Sequence, residues 1–255
     1  MKYVQVDVTV PVVWLTFERP PLNVMNIEML EELSAALDSV GQMADTSLVV
    51  VSGAGEKAFS AGVDIADHQG DKIAPMLKSF HGVLRQMAEL PQATLAAVDG
   101  LCLGGGFELA LMCDLCIATD RSRFGLPEIN LACFPPLALF MLEPHCGRHR
   151  AADWVLTGDI QEAQVAYEAG VISHVYHAEN YAEDLRAYVA SLSKKSPQVL
   201  RMTAKAMRSE VLSTFEKSLQ RVEDLYLEKL VEEPDMHEGV AAYMEKRAPQ
   251  WREYS

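Results

Sequence analysis

The chain opens with apolar and polar positions in alternation. "DVTVPVVWLTF" (7–17) reads as two strands of a hairpin, with Pro11 at the turn. The period then lengthens. "NIEMLEELSAALDSVGQM" (26–43) sets Met29, Leu33 and Leu37 at helical spacing behind Asn26, a residue suited to an N-cap. "SLVVVSG" (47–53) is a short apolar run of the kind found in buried strands. In "DKIAPMLKSFHGVLRQMAEL" (71–90), Ile73, Leu77, Phe80, Leu84 and Met87 share one helical face, and "ATLAAVDG" (93–100) returns to strand. A helix "FELALMC" (107–113) then gives way to a strand "DLCIA" (114–118).

From about residue 159 the pattern turns mainly helical. "TGDIQEAQVAYEAG" (157–170) fits a helix ended by Gly170, and "ENYAEDLRAYVASLSKK" (179–195) is another. "SPQVLRMTAKAMRS" (196–209) and the acidic "TFEKSLQRVEDLYLEKLVEE" (214–233) predict two more. Strands interleaved with helices, then helices alone, predict an α/β core over 1–190 with a C-terminal helical region over 191–255. No low-complexity linker or internal repeat interrupts the chain.

Composition narrows the function classes. A chain of 255 residues, 49% hydrophobic and 23% charged, is an ordinary globular composition. A net charge of −14 argues against nucleic acid, whose binding needs a basic stripe. It leaves room for an anionic small molecule held by a few local cations. No apolar run approaches the roughly 20 residues of a membrane span, and the N-terminus lacks the small-residue cleavage site of a signal peptide. A cytoplasmic protein is expected. Five cysteines, an odd number, imply reduced thiols. Cys113-x-x-Cys116 lacks the second pair of a zinc ribbon and reads as packing. No cluster has metal-ligand spacing, so no metal is expected.

Candidate chemistry concentrates in "GLCLGGGFELALMCDLCIATDRSRFGLPEINLACFPP" (100–136). Gly104-Gly105-Gly106 follows a strand and opens a helix, where free N–H groups can approach a ligand closely. The spacing is neither a dinucleotide fingerprint nor a P-loop, so stabilisation of an oxyanion is preferred to phosphate binding. Glu108 follows among apolar neighbours, either buried for a purpose or facing solvent in the first helical turn. Glu128 follows Pro127 as a second carboxylate or as a loop-capping acid. Two carboxylates facing one cavity can divide acid and base work. Upstream, "EKAFSAGVDIAD" (56–67) ends in another loop able to donate N–H groups to the same oxygen.

These stretches resemble a known superfamily. "KAFSAGVDI", "AAVDGLCLGGGFELALMCD", "FGLPEI", "LTGDIQEAQVAYEAGVISHV" and the tail "EGVAAYMEKRAPQW" are similar to signatures of the crotonase, or enoyl-CoA hydratase/isomerase, superfamily, in the expected order along nearly the whole chain. The resemblance implies a spiral of ββα units with a C-terminal helical region that drives trimerisation, as a homotrimer or a dimer of trimers. It implies an acyl-CoA thioester as substrate, with CoA part of that substrate and no separate cofactor. It assigns the oxyanion hole to Val63 and Gly105, activation of water to Glu108 and proton exchange at the α-carbon to Glu128. CoA contacts fall to Val24, Lys57, Ala61, Asp64, Ile65, Tyr243 and Lys246. The acyl pocket falls to Gly104, Phe134, Pro135, Pro136 and Leu137. Both glutamates are present, as in hydratases. A Δ3,Δ2-isomerase, a thioesterase or a non-catalytic acyl-CoA binder on the same scaffold are the alternatives.

The chain departs from the family after "PEI". A glycine-rich segment is replaced by "NLACFPPLALFMLEPHCGRHRA" (130–151), bulkier and stiffer, which suggests a pocket for a compact or cyclic acyl group. "FPP" here resembles the cyclohexa-1,5-diene-1-carboxyl-CoA hydratases of anaerobic aromatic degradation, with a short-chain enoyl-CoA as the alternative. At Arg19-Pro20-Pro21 a lysine common in relatives is missing. His68 is expected at the pocket mouth or in solvent, and His81 as a structural or surface residue.

Overall fold

The computed structural model describes residues 1–252. The first half runs β1 (Val4–Thr9), β2 (Val12–Phe17), α1 (Ile27–Gly41), β3 (Leu48–Gly53), β4 (Ala58–Ser60), α2 (Ile73–Glu89), β5 (Ala93–Val98), β6 (Leu101–Leu103) and α3 (Gly105–Leu111). Next come β7 (Leu115–Thr119), β8 (Arg123–Gly125), a 3-10 turn Pro127–Leu131, α4 (Ala138–Met141), α5 (Glu143–Cys146) and α6 (Arg148–Thr157). The remainder is β9 (Ile160–Glu162), α7 (Ala163–Glu168), β10 (His174–Tyr176), α8 (Tyr181–Ser193), α9 (Pro197–Glu228) and α10 (Pro234–Met244).

A six-stranded sheet has the order β1-β2-β3-β5-β7-β10, and a four-stranded sheet the order β4-β6-β8-β9. The chain alternates between them: β3 then β4 then α2, β5 then β6 then α3, β7 then β8. That is a spiral of ββα turns, as the resemblance implied, although no sequence repeat marks it. All pairings in the large sheet are parallel except the β1–β2 hairpin. Its central strands are apolar on both faces because both faces are covered. Val49 and Val51 join the core beneath α1, α2 and α3, while Leu48 and Val50 face α8 and α9. Asn26 caps α1 as expected, its side chain accepting from the Met29 N–H at 3.1 Å.

Two expected elements differ. Ile160–Glu162 is a strand, antiparallel to β8, so the helix predicted over 157–170 shrinks to α7. The open edge of β8 takes the backbone bonds of these residues before the helix begins, and Gly170 still follows its end at φ +82°. The helices predicted over 196–209 and 214–233 are one, α9, of 32 residues. Nothing between Pro197 and Pro234 is a proline or glycine, so nothing stops it. Ser196 caps it and Pro197 occupies its first position.

α9 is bolted to the core. Arg208 pairs with Asp114 at 2.7 Å and donates to the carbonyls of Leu90 and Gln92, while Asp114 accepts from the Thr94 N–H. About four turns further along α9, Glu223 meets Arg85 at 3.0 Å and the wholly buried His81 at 2.7 Å. His81 is thus a structural residue of the α2–α9 seam. The last three residues of the expected 191–255 region lie outside the described residues. Among the described residues no helix is long and apolar enough to cross a membrane.

Candidate active site

The turn after β4, the β6–α3 junction and the run from Pro127 to Pro136 converge on a cavity of about 410 Å³. α2 closes one side with Leu77 and Phe80, and α9 another with Tyr226. Glu108 stands in the first turn of α3 and is 2% exposed, so it does not face solvent. Its Oε1 accepts from the N–H groups of Leu137 at 2.7 Å and Ala138 at 3.0 Å. Burial disfavours its charge more than those two donors favour it, and its pKa is raised above the ordinary 4.5.

Glu128 extends from the 3-10 turn into the same cavity. The residue as a whole is partly exposed, yet its Oε2 is out of reach of solvent and has no hydrogen-bond partner. Burial, then the charge of Glu108, raises its pKa as well. The glycine triplet makes room for this arrangement. A Cβ on Gly104 would lie 2.7 Å from Glu128 Oε1, and the residue sits at φ +52°, which side chains disfavour. A Cβ on Gly105 would lie 2.8 Å from Val63 Cγ2. The two loops named from sequence are therefore in van der Waals contact.

Val63 forms an isolated bridge with Met25: the Gly62 carbonyl accepts from Met25, and the Asp64 N–H donates back, both at 2.8 Å. Strand geometry then turns the Val63 N–H to the other side. Gly105 is the first residue of α3, where an N–H has no partner within the helix. The cavity thus holds two close-set carboxylates and a backbone junction able to donate.

Of the other residues expected at the site, Ala61, Ile65, Gly104, Phe134, Pro135, Pro136 and Tyr243 line the cavity. Leu137 is fully buried and meets the site through its N–H on Glu108 rather than as a pocket wall. Val24 does not line the cavity; its carbonyl accepts from Arg19 at 2.8 Å. Asp64 is also outside it, ion-paired to Arg19 at 2.9 Å and capping the turn at Ala66. Lys57 and Lys246 are exposed and away from the cavity walls, Lys57 lending only its carbonyl to the Leu101 N–H.

Sequence reasoning did not reach Tyr226, Phe80, Cys133 or Leu103, all of which line the cavity. For Tyr226 a signal existed: Phe215, Leu219, Val222 and Tyr226 form a buried stripe at helical spacing. His68 does line the cavity; its Nδ1 lies 3.0 Å from the Asp64 carbonyl, and burial pushes its pKa down.

Comparison with known proteins agrees with this architecture. Residues 8–254 match the family described as enoyl-CoA hydratase/isomerase. A cyclohexa-1,5-dienecarbonyl-CoA hydratase of Thauera aromatica is 33% identical over 93% of this chain and 91% of its own. A probable enoyl-CoA hydratase of Mycobacterium bovis is also 33% identical, over 93% of each chain. The crystal structure of an enoyl-CoA hydratase from Mycobacterium avium subsp. paratuberculosis superposes with a TM-score of 0.89, at 25% identity over 98% of both chains. The chain belongs to the enoyl-CoA hydratase/isomerase family.

Proposed function

We propose that the protein adds water to an α,β-unsaturated acyl-CoA thioester. The observation that carries this reading is the pair Glu108 and Glu128 in one cavity, both with raised proton affinity, beside the Val63–Gly105 junction. In this mechanism the N–H groups of Val63 and Gly105 hold the thioester oxygen as it gains charge, which makes the enolate accessible. Glu108, with two N–H donors on Oε1, is the carboxylate that stays ionised and takes a proton from water. Glu128, unpartnered and facing that charge, keeps its proton and delivers it to the α-carbon. CoA enters as part of the substrate.

The acyl group we assign is a cyclic diene, cyclohexa-1,5-diene-1-carboxyl-CoA. Phe134, Pro135 and Pro136 support this, as rigid walls of a compact cavity, together with the name of the Thauera aromatica relative. The equal identity to the Mycobacterium bovis relative supports a simple enoyl-CoA as the second reading. Hydration of the cyclic diene beside crotonyl-CoA, with products identified by mass, separates them: the expected result is a kcat/KM preference for the diene. Glu108→Gln and Glu128→Gln are each expected to lower kcat by about 10²–10⁴-fold with little change in CoA affinity. Near-normal turnover in either variant removes that residue from the mechanism.

A further inference from the structure

A water held between ionised Glu108 and the carbonyl oxygen of protonated Glu128 offers its hydrogens to them, while the proton of Glu128 is directed at the α-carbon. One lone pair attacks carbon, and the other needs a donor to fix the direction of attack. The backbone around the glutamates has little left to donate. Pro127, Pro135 and Pro136 carry no N–H. The Leu137 and Ala138 N–H groups are spent on Glu108, and the Cys133 N–H on the Glu128 carbonyl at 3.0 Å. The Val63 and Gly105 N–H groups are taken by the thioester oxygen in the mechanism above. Of the polar side chains lining the cavity besides the glutamates, Asn130 and Tyr243 are exposed at its mouth, and His68 is tied to the Asp64 carbonyl.

Tyr226 is different. It is 1% exposed, it lines the cavity, and its hydroxyl makes no well-formed hydrogen bond, with only the weakly bonding Cys133 thiol beside it. Phe134 meets its ring edge-on, with centroids 5.1 Å apart at 72°, so the phenol is held in place. A buried hydroxyl left without a partner is unfavourable, and of the unpartnered buried side-chain atoms among the described residues only those of Glu128 and Tyr226 line the cavity, where a ligand or its water can supply the partner. Resting on the hydratase reading, we propose that Tyr226 is a third catalytic side chain, whose O–H donates to the oxygen of the attacking water. The water oxygen bonds to the β-carbon as the double-bond electrons move toward the thioester, its proton passes to Glu108, and Glu128 protonates the enolate carbon. Tyr226 keeps its own proton throughout. Burial, with Cys133 and the two glutamates nearby, pushes the phenol's pKa up, which suits a donor and not a base.

Tyr226→Phe removes the hydroxyl and nothing else. Two rates are measured in wild type and variant: hydration of the better of the two thioesters, and exchange of α-hydrogen for deuterium in butanoyl-CoA and cyclohexanecarboxyl-CoA. Exchange needs the oxyanion donors and Glu128 but no attacking water. The variant is expected to lose about 10- to 100-fold in hydration kcat, to keep exchange within about twofold, and to melt no lower than wild type. Unchanged hydration, or parallel loss of both rates, overturns the role of Tyr226. A wild-type protein that exchanges α-hydrogen yet hydrates neither thioester overturns the hydratase reading, and the tyrosine's role falls with it.

Discussion

Glu128 carries its proton in the folded protein at pH values where an unfolded glutamate has lost it. Unfolding then releases a proton, so this residue makes stability fall as pH rises above the ordinary 4.5 toward its raised folded value. Glu128→Gln removes that cost. Thermal melts of the two proteins are expected to coincide near pH 4 and to diverge in favour of the variant as pH rises; a constant difference across pH would refute this. Activity has the complementary profile. The proposed hydration needs Glu108 ionised and Glu128 protonated, so kcat should follow a bell whose acid limb lies above the ordinary carboxylate range. Gly104→Ala tests the space beside Glu128 directly. A Cβ at 2.7 Å from Oε1 must displace the carboxylate, and a loss of roughly 10²-fold in kcat is expected. An active Gly104→Ala enzyme would mean that the carboxylate reacts from another position.

At the scale of elements, α9 depends on the Arg208–Asp114 pair, in which both side chains are about nine-tenths buried. Arg208→Ala leaves Asp114 buried without its partner, for an expected loss of about 3–5 kcal/mol in a denaturant titration. A loss under about 1 kcal/mol would show that water reaches the aspartate. Elements written by local pattern were legible in the sequence: the β1–β2 hairpin, α1 with its Asn26 cap, α2, β3 and β5. β9 was not, because Ile160–Glu162 becomes a strand only where β8 offers an edge. The single long α9 was not either, since its middle lacks an apolar stripe as clear as those at its ends. The site divides the same way. Glu108, Glu128 and the glycines lie within 25 positions and were legible together. Tyr226 reaches the cavity from a helix nearly a hundred residues away, and only the fold could bring its hydroxyl there.

For the molecule as a whole, the spiral leaves apolar side chains uncovered on consecutive elements: Leu156 on α6 at 70% exposed, Ile160 on β9, and Val165 and Tyr167 on α7. A trimer or a dimer of trimers, the assembly the family resemblance implies, would give these residues a partner. Sedimentation is expected to return three or six chains per particle, and a Leu156→Glu substitution to lower that number; a monomer at micromolar concentration would refute the assembly. The N–H groups that hold Glu108 belong to Leu137 and Ala138, directly after the prolines that wall the cavity. On the proposed function, residues that shape the acyl site are thus continuous with residues that set the base. Gradual drift toward a new acyl group would pass through variants that fit it but have lost the chemistry. In a library randomised over 135–138, active members should therefore be few and separated by gaps, and new preferences should arise by paired changes across this segment.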